Sequence, residues 1–239
     1  MNWWVVPQSL GYLLQGARWT LEISATVIVT GTLLGLILGL LRVAPWPRVK
    51  RAVTAVVECV RAVPLLLQMF FVFFGLPALG LKMPVFLSAV LAMTLWMGAN
   101  TAEVFRGAIQ SIPKGQTEAA LSTGLTYSQT MRHVLFPQAL RRMLPPFVGL
   151  CTILIKDTSL AAIIGVFELT RAAQETIERT FRSFEIYLFV AAIYFLICFP
   201  LTSLSRGLER RLATPGRAGE EGAALGEARL RATAASFEV

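Results

Sequence analysis

Residues 117–137 read TEAALSTGLTYSQTMRHVLFP, a polar, helix-forming stretch inside a chain made mostly of long apolar runs. Glu118 to Ser122 are good helix formers, and Gly124 suits the left-handed position that ends a short helix. Thr126-Tyr-Ser-Gln129 has the spacing of a capping box, so Thr126 is expected to start a second helix with Gln129 reaching back. Pro137 and the Pro145-Pro146 pair punctuate the chain on its C-terminal side. The stretch therefore reads as a helix–turn–helix lying across one face of the molecule.

What surrounds it decides which face. The 239 residues are 55% hydrophobic and only 15% charged, with a mean hydropathy of +0.64. That is too apolar for a soluble domain of this size, and the class is an all-α integral membrane protein. A bilayer core of about 30 Å takes roughly 20 apolar residues per helix. Five such runs are present, at about Thr20–Leu41, Val53–Leu79, Phe86–Val104, Pro145–Phe167 and Ile186–Leu204. Glu58 and Arg61 are the only charges in the second, Glu103 lies near the end of the third, and Lys156 and Asp157 lie inside the fourth.

The net charge of +8 raises the question of nucleic acid, but a basic stripe with interleaved aromatics on a soluble surface is missing. Instead Arg42, Arg48, Lys50 and Arg51 crowd the first connection, and Arg106, Lys114, Arg132, Arg141 and Arg142 flank or occupy the third. By the positive-inside rule these connections and the C-terminus are cytoplasmic and the N-terminus is outside, although Arg18 counts the other way. The opening MNWWVVPQSLGYLL has neither a basic leader nor a cleavage site. Residues 1–19 are expected to form an interfacial segment with Trp3 and Trp4 at headgroup level, residues 20–211 the transmembrane domain, and residues 212–239 a disordered cytoplasmic tail. Cys59, Cys151 and Cys198 fall inside expected spans without ligand spacing and read as small buried residues.

Glu118-Ala119-Ala120, Gly124 and the terminal Val134, Phe136 and Pro137 resemble the EAA loop of the membrane subunits of ABC importers, with Val and Phe in place of Ile and Leu. ARWTLEISATVIVTGTLLGLILGLLR, RAVPLLLQMFFVFFGLP, FRGAIQSIPKGQTEAA, FPQALRRMLPP, IKDTSLAAIIGVFELTRAAQE and FRSFEIYLFVAAIYF are each similar to segments of the polar amino acid permeases, the histidine/glutamine/arginine/opine branch. The likeness covers about residues 12–211, with Arg61-Ala-Val-Pro64 standing where the family usually has Arg-Gly-Thr-Pro. It implies a type I importer fold in which the helix after Glu118 docks in a groove of a separate cytoplasmic ATPase subunit. Further implied partners are an extracytoplasmic substrate-binding protein and a second permease subunit, identical or homologous. ATP and Mg would be bound by the ATPase partner and no cofactor by this chain, which has no G-x-x-x-x-G-K-[ST] phosphate loop.

Ionisable groups inside spans are costly and mark pathways or internal pairs. Asp157 lies about 18 Å along a helix from Pro145, near the expected midplane. Lys156-Asp157-Thr158-Ser159 offers a cation, an anion and two hydroxyls, the complement of a free amino acid. Glu58 and Arg61, at i and i+3, share a helix face near Gln68 and the helix-loosening Pro64, and Asn100 is the polar candidate of the third run. Each has a plainer alternative, an internal ion pair for Glu58 and Arg61 or hydrogen bonds between helices for Gln68 and Asn100. The reading is the permease subunit of an ATP-driven importer of polar amino acids in the bacterial inner membrane, set in lipid. The alternative is an ATP-independent channel or ion-coupled carrier. A membrane enzyme is not supported, because His133 is the only histidine and no catalytic set assembles.

Overall fold

The computed structural model describes residues 4–212, and those residues fold into helices alone. Trp3 and the tail from residue 213 lie outside them. The first helix, α1 (Val5–Val43), has 39 residues and no break. At the standard rise that is about 58 Å, nearly twice a bilayer core, so the segment before Thr20 continues the first span instead of forming a separate element. Leu13 and Ala17 are buried, which ties this extension into the packed body.

The expected straight second span, Val53–Leu79, is not what forms. The chain makes α2 (Pro47–Ala62) and α3 (Leu65–Phe70), which runs through a π-helical turn (Phe71–Gly75) into α4 (Leu76–Ala78), and the two parts are bent by 101°. Pro64 is the cause. It lacks an N–H, and it forces Val63 into an extended conformation, φ −93° and ψ 128°. The carbonyls freed at the break are met by Gln68, whose Nε2 donates to Val60 O and Val63 O at 2.8 Å each. Among the described residues four helices are long and apolar enough to cross a membrane, and the bent pair makes a fifth if it is counted as one span.

After the Gly80 turn, α5 (Val85–Gln110) runs parallel to α1: Trp19 meets Phe86 with ring centroids 6.0 Å apart, and the Thr30 and Thr94 hydroxyls are 2.8 Å apart. Their seam is built on glycine. A Cβ added at Gly31 would sit 2.6 Å from Met97 Cβ, one at Gly35 2.4 Å from Thr101 Cβ, and one at Gly39 2.7 Å from Phe105 Cδ1. Spacing of four residues puts all three on one face, so the backbones approach closely and gain van der Waals contact where lipid offers no hydrophobic drive.

Next come α6 (Lys114–Ser122), α7 (Tyr127–Thr130), a π-helical turn (Met131–Leu135), α8 (Phe136–Asp157), a 3-10 turn (Thr158–Ile164), α9 (Leu169–Thr180) and α10 (Ser183–Leu212). Pro137, Pro145 and Pro146 do not end the fourth span, which is helical from Tyr127 to Ile164. Widening at the π turn directly before Pro137 relieves the clash its ring would make with His133 O. The Pro145 carbonyl accepts the Ser205 hydroxyl of α10 at 3.0 Å. Ile23, Val27, Met69, Met93 and Leu154 form the central core from α1, α3, α5 and α8. Leu13, Leu169, Ala172 and Ile186 close one end, and Phe105, Ile112, Leu135 and Ala139 the end that carries α6.

Candidate functional site

Two groups of residues are in question, the surface loop and the polar residues of the spans. In the loop, α6 begins at Lys114, four residues before Glu118. Glu118 is thus mid-helix and not near a helix N-terminus as expected. Gly124 ends α6 with φ +85°, Leu125 N–H donating to Ala120 O at 3.3 Å and Gly124 N–H to Leu121 O at 3.0 Å. That pair of bonds is a Schellman motif, which satisfies two of the carbonyls left over at a helix end. The capping box forms too: Gln129 N–H donates to Thr126 Oγ1 at 3.3 Å, and Thr126 N–H to Gln129 Oε1 at 2.8 Å.

Ala120 is buried where α6 packs on α7 and the π turn after it, so its small size serves internal packing. Glu118, Ala119 and Leu121 face outward, and Leu121, 46% exposed, is an apolar side chain on an otherwise polar loop. The loop is anchored to the fourth span by Arg142, whose Nη1 donates to Ser111 O at 2.7 Å, and by Gln138, whose Nε2 donates to Gln116 Oε1 at 3.4 Å. Pro137 sits at the start of α8, in the same rod. From Tyr127 the rod continues to Asp157, about 45 Å at the standard rise. Its far end carries Lys156, Asp157, Thr158 and Ser159.

Lys156 is exposed and Asp157 half-buried, and neither makes an ion pair among the described residues. The hydroxyls are occupied locally, Thr158 on Ile155 O and Ser159 on Lys156 O, each at 2.7 Å. Asn100 donates to Trp96 O of its own helix at 2.9 Å. The Gln68 amide is committed to the Pro64 break.

Glu58 and Arg61 do pair, at 3.2 Å, but at the other end of the bundle. Arg42, only 4% exposed, donates to Glu58 at 2.9 Å and to Glu103 at 2.8 Å, and Arg106 closes on Glu103 at 2.5 Å. Five charges thus bind the end of α1 to α2 and α5. Asp157 instead adjoins Thr158, which reaches Tyr194, and Tyr194 donates to Glu168, which also accepts from Thr20. Between Thr20 and Arg42 runs about 33 Å of α1. Glu58 and Asp157 therefore lie at different depths.

Two residues carry more than the sequence indicated. In the sequence Arg42 is only one of several basic loop residues; nothing in its neighbours marks it as the buried hub. Glu168 is fully buried at the start of α9, where its carboxylate accepts Arg171 N–H at 2.8 Å, Tyr194 O–H at 3.0 Å and Thr20 O–H at 3.4 Å. Burial holds its carboxyl above the usual range against those bonds. On the next turn but one, Glu175 accepts the Tyr12 hydroxyl and is held below that range.

The model of the family described as binding-protein-dependent transport system inner membrane component matches residues 31–214. The glutamine transport system permease protein GlnP of Escherichia coli K12 is 39% identical over 213 residues, 88% of this chain and 97% of that protein. The L-cystine transport system permease protein TcyB of Bacillus subtilis is 38% identical over 212 residues, 88% and 91% of the two chains. A crystal structure of an amino acid ABC transporter with histidines superposes with a TM-score of 0.84 at 31% identity, covering 89% of this chain and 99% of that one. The MetNI methionine ABC transporter, at 20% identity and a TM-score of 0.67, shares the fold. Permeases of this kind have no ATPase activity and bind no cofactor of their own; they work in complexes with an ATPase and a binding protein. The chain belongs to the binding-protein-dependent transport system inner membrane component family, and is a multi-pass inner-membrane permease subunit of an ABC importer.

Proposed function

We propose that this permease carries polar amino acids, with glutamine the first candidate, and that ATP-driven closure of the partner enters through α6. The observation that carries the second part is mechanical. The exposed face of α6 and the Lys156–Ser159 group sit at opposite ends of a single connected rod, clamped by the Schellman turn, the capping box, Arg142 and Gln138. Displacing α6 moves a stiff lever, so the far end moves with it.

The first part is supported by the relatives named for glutamine and cystine transport, and by a cation and an anion adjacent in sequence at Lys156 and Asp157, neither in an ion pair among the described residues. Glu58 and Arg61 belong to the charge cluster, and Gln68 to the helix break. Asp157, Lys156, Thr158, Ser159 and Asn100 remain the residues proposed to face substrate.

Orientation follows from charge. α1, α5 and α10 run the same way; α1 and α10 carry Arg42 and Arg210–Arg211 in their last turns and α5 carries Arg106 one turn before its end, so the basic residues gather on the side of α6. That side is cytoplasmic by the positive-inside rule, which puts the N-terminus outside. A second permease subunit, identical or homologous, completes the pathway.

Uptake of labelled glutamine into proteoliposomes holding the permease, its ATPase and its binding protein tests this reading. ATP-dependent uptake is expected, with competition by unlabelled polar amino acids. Uptake indifferent to ATP, or competed only by apolar solutes, would contradict it. In the same assay Asp157→Asn is expected to raise KM at least tenfold with normal membrane insertion; an unchanged KM removes Asp157 from the substrate site.

A further inference from the structure

We propose that the cleft between the end of α1 and the start of α7 is a binding site for one anionic phospholipid. The cleft holds about 590 Å³, within the range of small-molecule pockets, roughly 300–1,000 Å³. Leu40, Val43, Trp46, Met131 and Phe136 make it apolar, and Tyr127 closes one wall, its hydroxyl donating to Val43 O at 2.5 Å. Leu33, Ile37 and Leu40 are all exposed at i, i+4 and i+7 of α1. They form one apolar stripe leading from the cleft along the span, the course an acyl chain would follow.

Charge selects the headgroup. Among the described residues Arg132 is the one charged residue lining the cleft, and no carboxylate lines it. Arg48, Lys50 and Arg51 follow Trp46 closely on α2, whose first turn holds no acidic residue. None of these four cations is in an ion pair among the described residues. Trp46, 60% exposed at the rim, is the amphipathic aromatic that settles at headgroup level. An apolar slot at the end of a membrane span, lined by one cation and followed in sequence by three more, suits a phosphate headgroup with its chain inside.

The far wall is Thr126–Met131, the joint between α6 and the rod, so occupancy should stiffen that joint. This consequence rests on the coupling reading under Proposed function, whereas lipid binding does not. The test places the whole transporter in nanodiscs with photoactivatable phosphatidylglycerol or photoactivatable phosphatidylcholine and maps the labelled peptides. Phosphatidylglycerol is expected to label the Trp46 and Met131 peptides several-fold more than phosphatidylcholine. Arg132→Gln should cut that preference by about fivefold, one basic residue's share at a membrane surface, and Met131→Trp, which fills the slot, should reduce labelling by both lipids. Equal labelling by the two lipids, labelling unmoved by either variant, or cross-linking of these peptides to the ATPase subunit in place of lipid would overturn the proposal.

Discussion

Arg42 shows how a single side chain can join three helices. Its guanidinium is nearly inaccessible and donates to carboxylates of both α2 and α5, with two further arginines completing the cluster. Arg42→Ala would take one partner from Glu58 and one from Glu103, which keep Arg61 and Arg106 and are partly exposed, and is expected to destabilise the protein by about 1–3 kcal/mol, the usual loss of hydrogen bonds to a charged group. Thermal unfolding of the purified complex reads this as a lower Tm; a variant melting with the parent would show that Arg61 and Arg106 suffice. Glu168 and Glu175 make opposite pH predictions. Glu168, raised by burial, favours the fold below its unfolded pKa of about 4.3, and that contribution is lost as pH rises through its higher folded value. Glu175, lowered first by the Tyr12 hydroxyl, contributes above that same pKa and loses its contribution as pH falls. Raising pH from about 5 to 8 should therefore shift the Tm difference between Glu168→Gln and the parent in favour of the variant. A difference constant with pH would mean that Glu168 folds with no shift. Neither Arg42 nor Glu168 was legible as a special residue, because what singles them out is convergence of elements far apart in sequence.

Among the elements, local chemistry was readable and tertiary bending was not. Gly124, Thr126 and Gln129 signal a stop and a start by themselves, and the turn forms as those residues dictate. The start of α6 was not readable from Glu118, since Pro113 and Lys114 open the helix well before it. Pro64 and Pro137 illustrate the harder case. At Pro64 the chain breaks by 101° and Gln68 answers the free carbonyls, whereas at Pro137 one π turn absorbs the proline and the helix runs on. Gln68→Leu should expose Val60 O and Val63 O unpaired, at about 1–3 kcal/mol. The glycine seam of α1 allows a sharper contrast. Gly35→Ala must push α5 away and is expected to lower Tm, whereas Gly11→Ala, with open space at its Cβ, should be neutral or gain a few tenths of a kcal/mol from helix propensity. Equal behaviour of the two variants would contradict close packing at the seam.

For the molecule as a whole, apolar run length and charge placement led to a membrane bundle with basic connections gathered at one end, and the fold has that organisation. Depth was the part beyond reach. Two acidic residues in expected spans read alike in a linear chain, yet Glu58 belongs to the basic end and Asp157 lies deeper, between Leu154 and Ala161 of the central core. The second span bends, and the fourth begins at Tyr127, well before the proline pair at which it was expected to start. The lever formed by α6 and the rod to Asp157 carries the proposed coupling. Gly124→Asp isolates it, since no atom lies within 4 Å of a Cβ there and Asp tolerates the left-handed conformation at a cost of about 1–2 kcal/mol. Labelled glutamine uptake by proteoliposomes with ATP, compared between the parent and Gly124→Asp at equal membrane content, is the most direct measurement. Background uptake by a variant that inserts normally and binds substrate is the predicted result, and uptake at the parent's rate would contradict coupling through this loop.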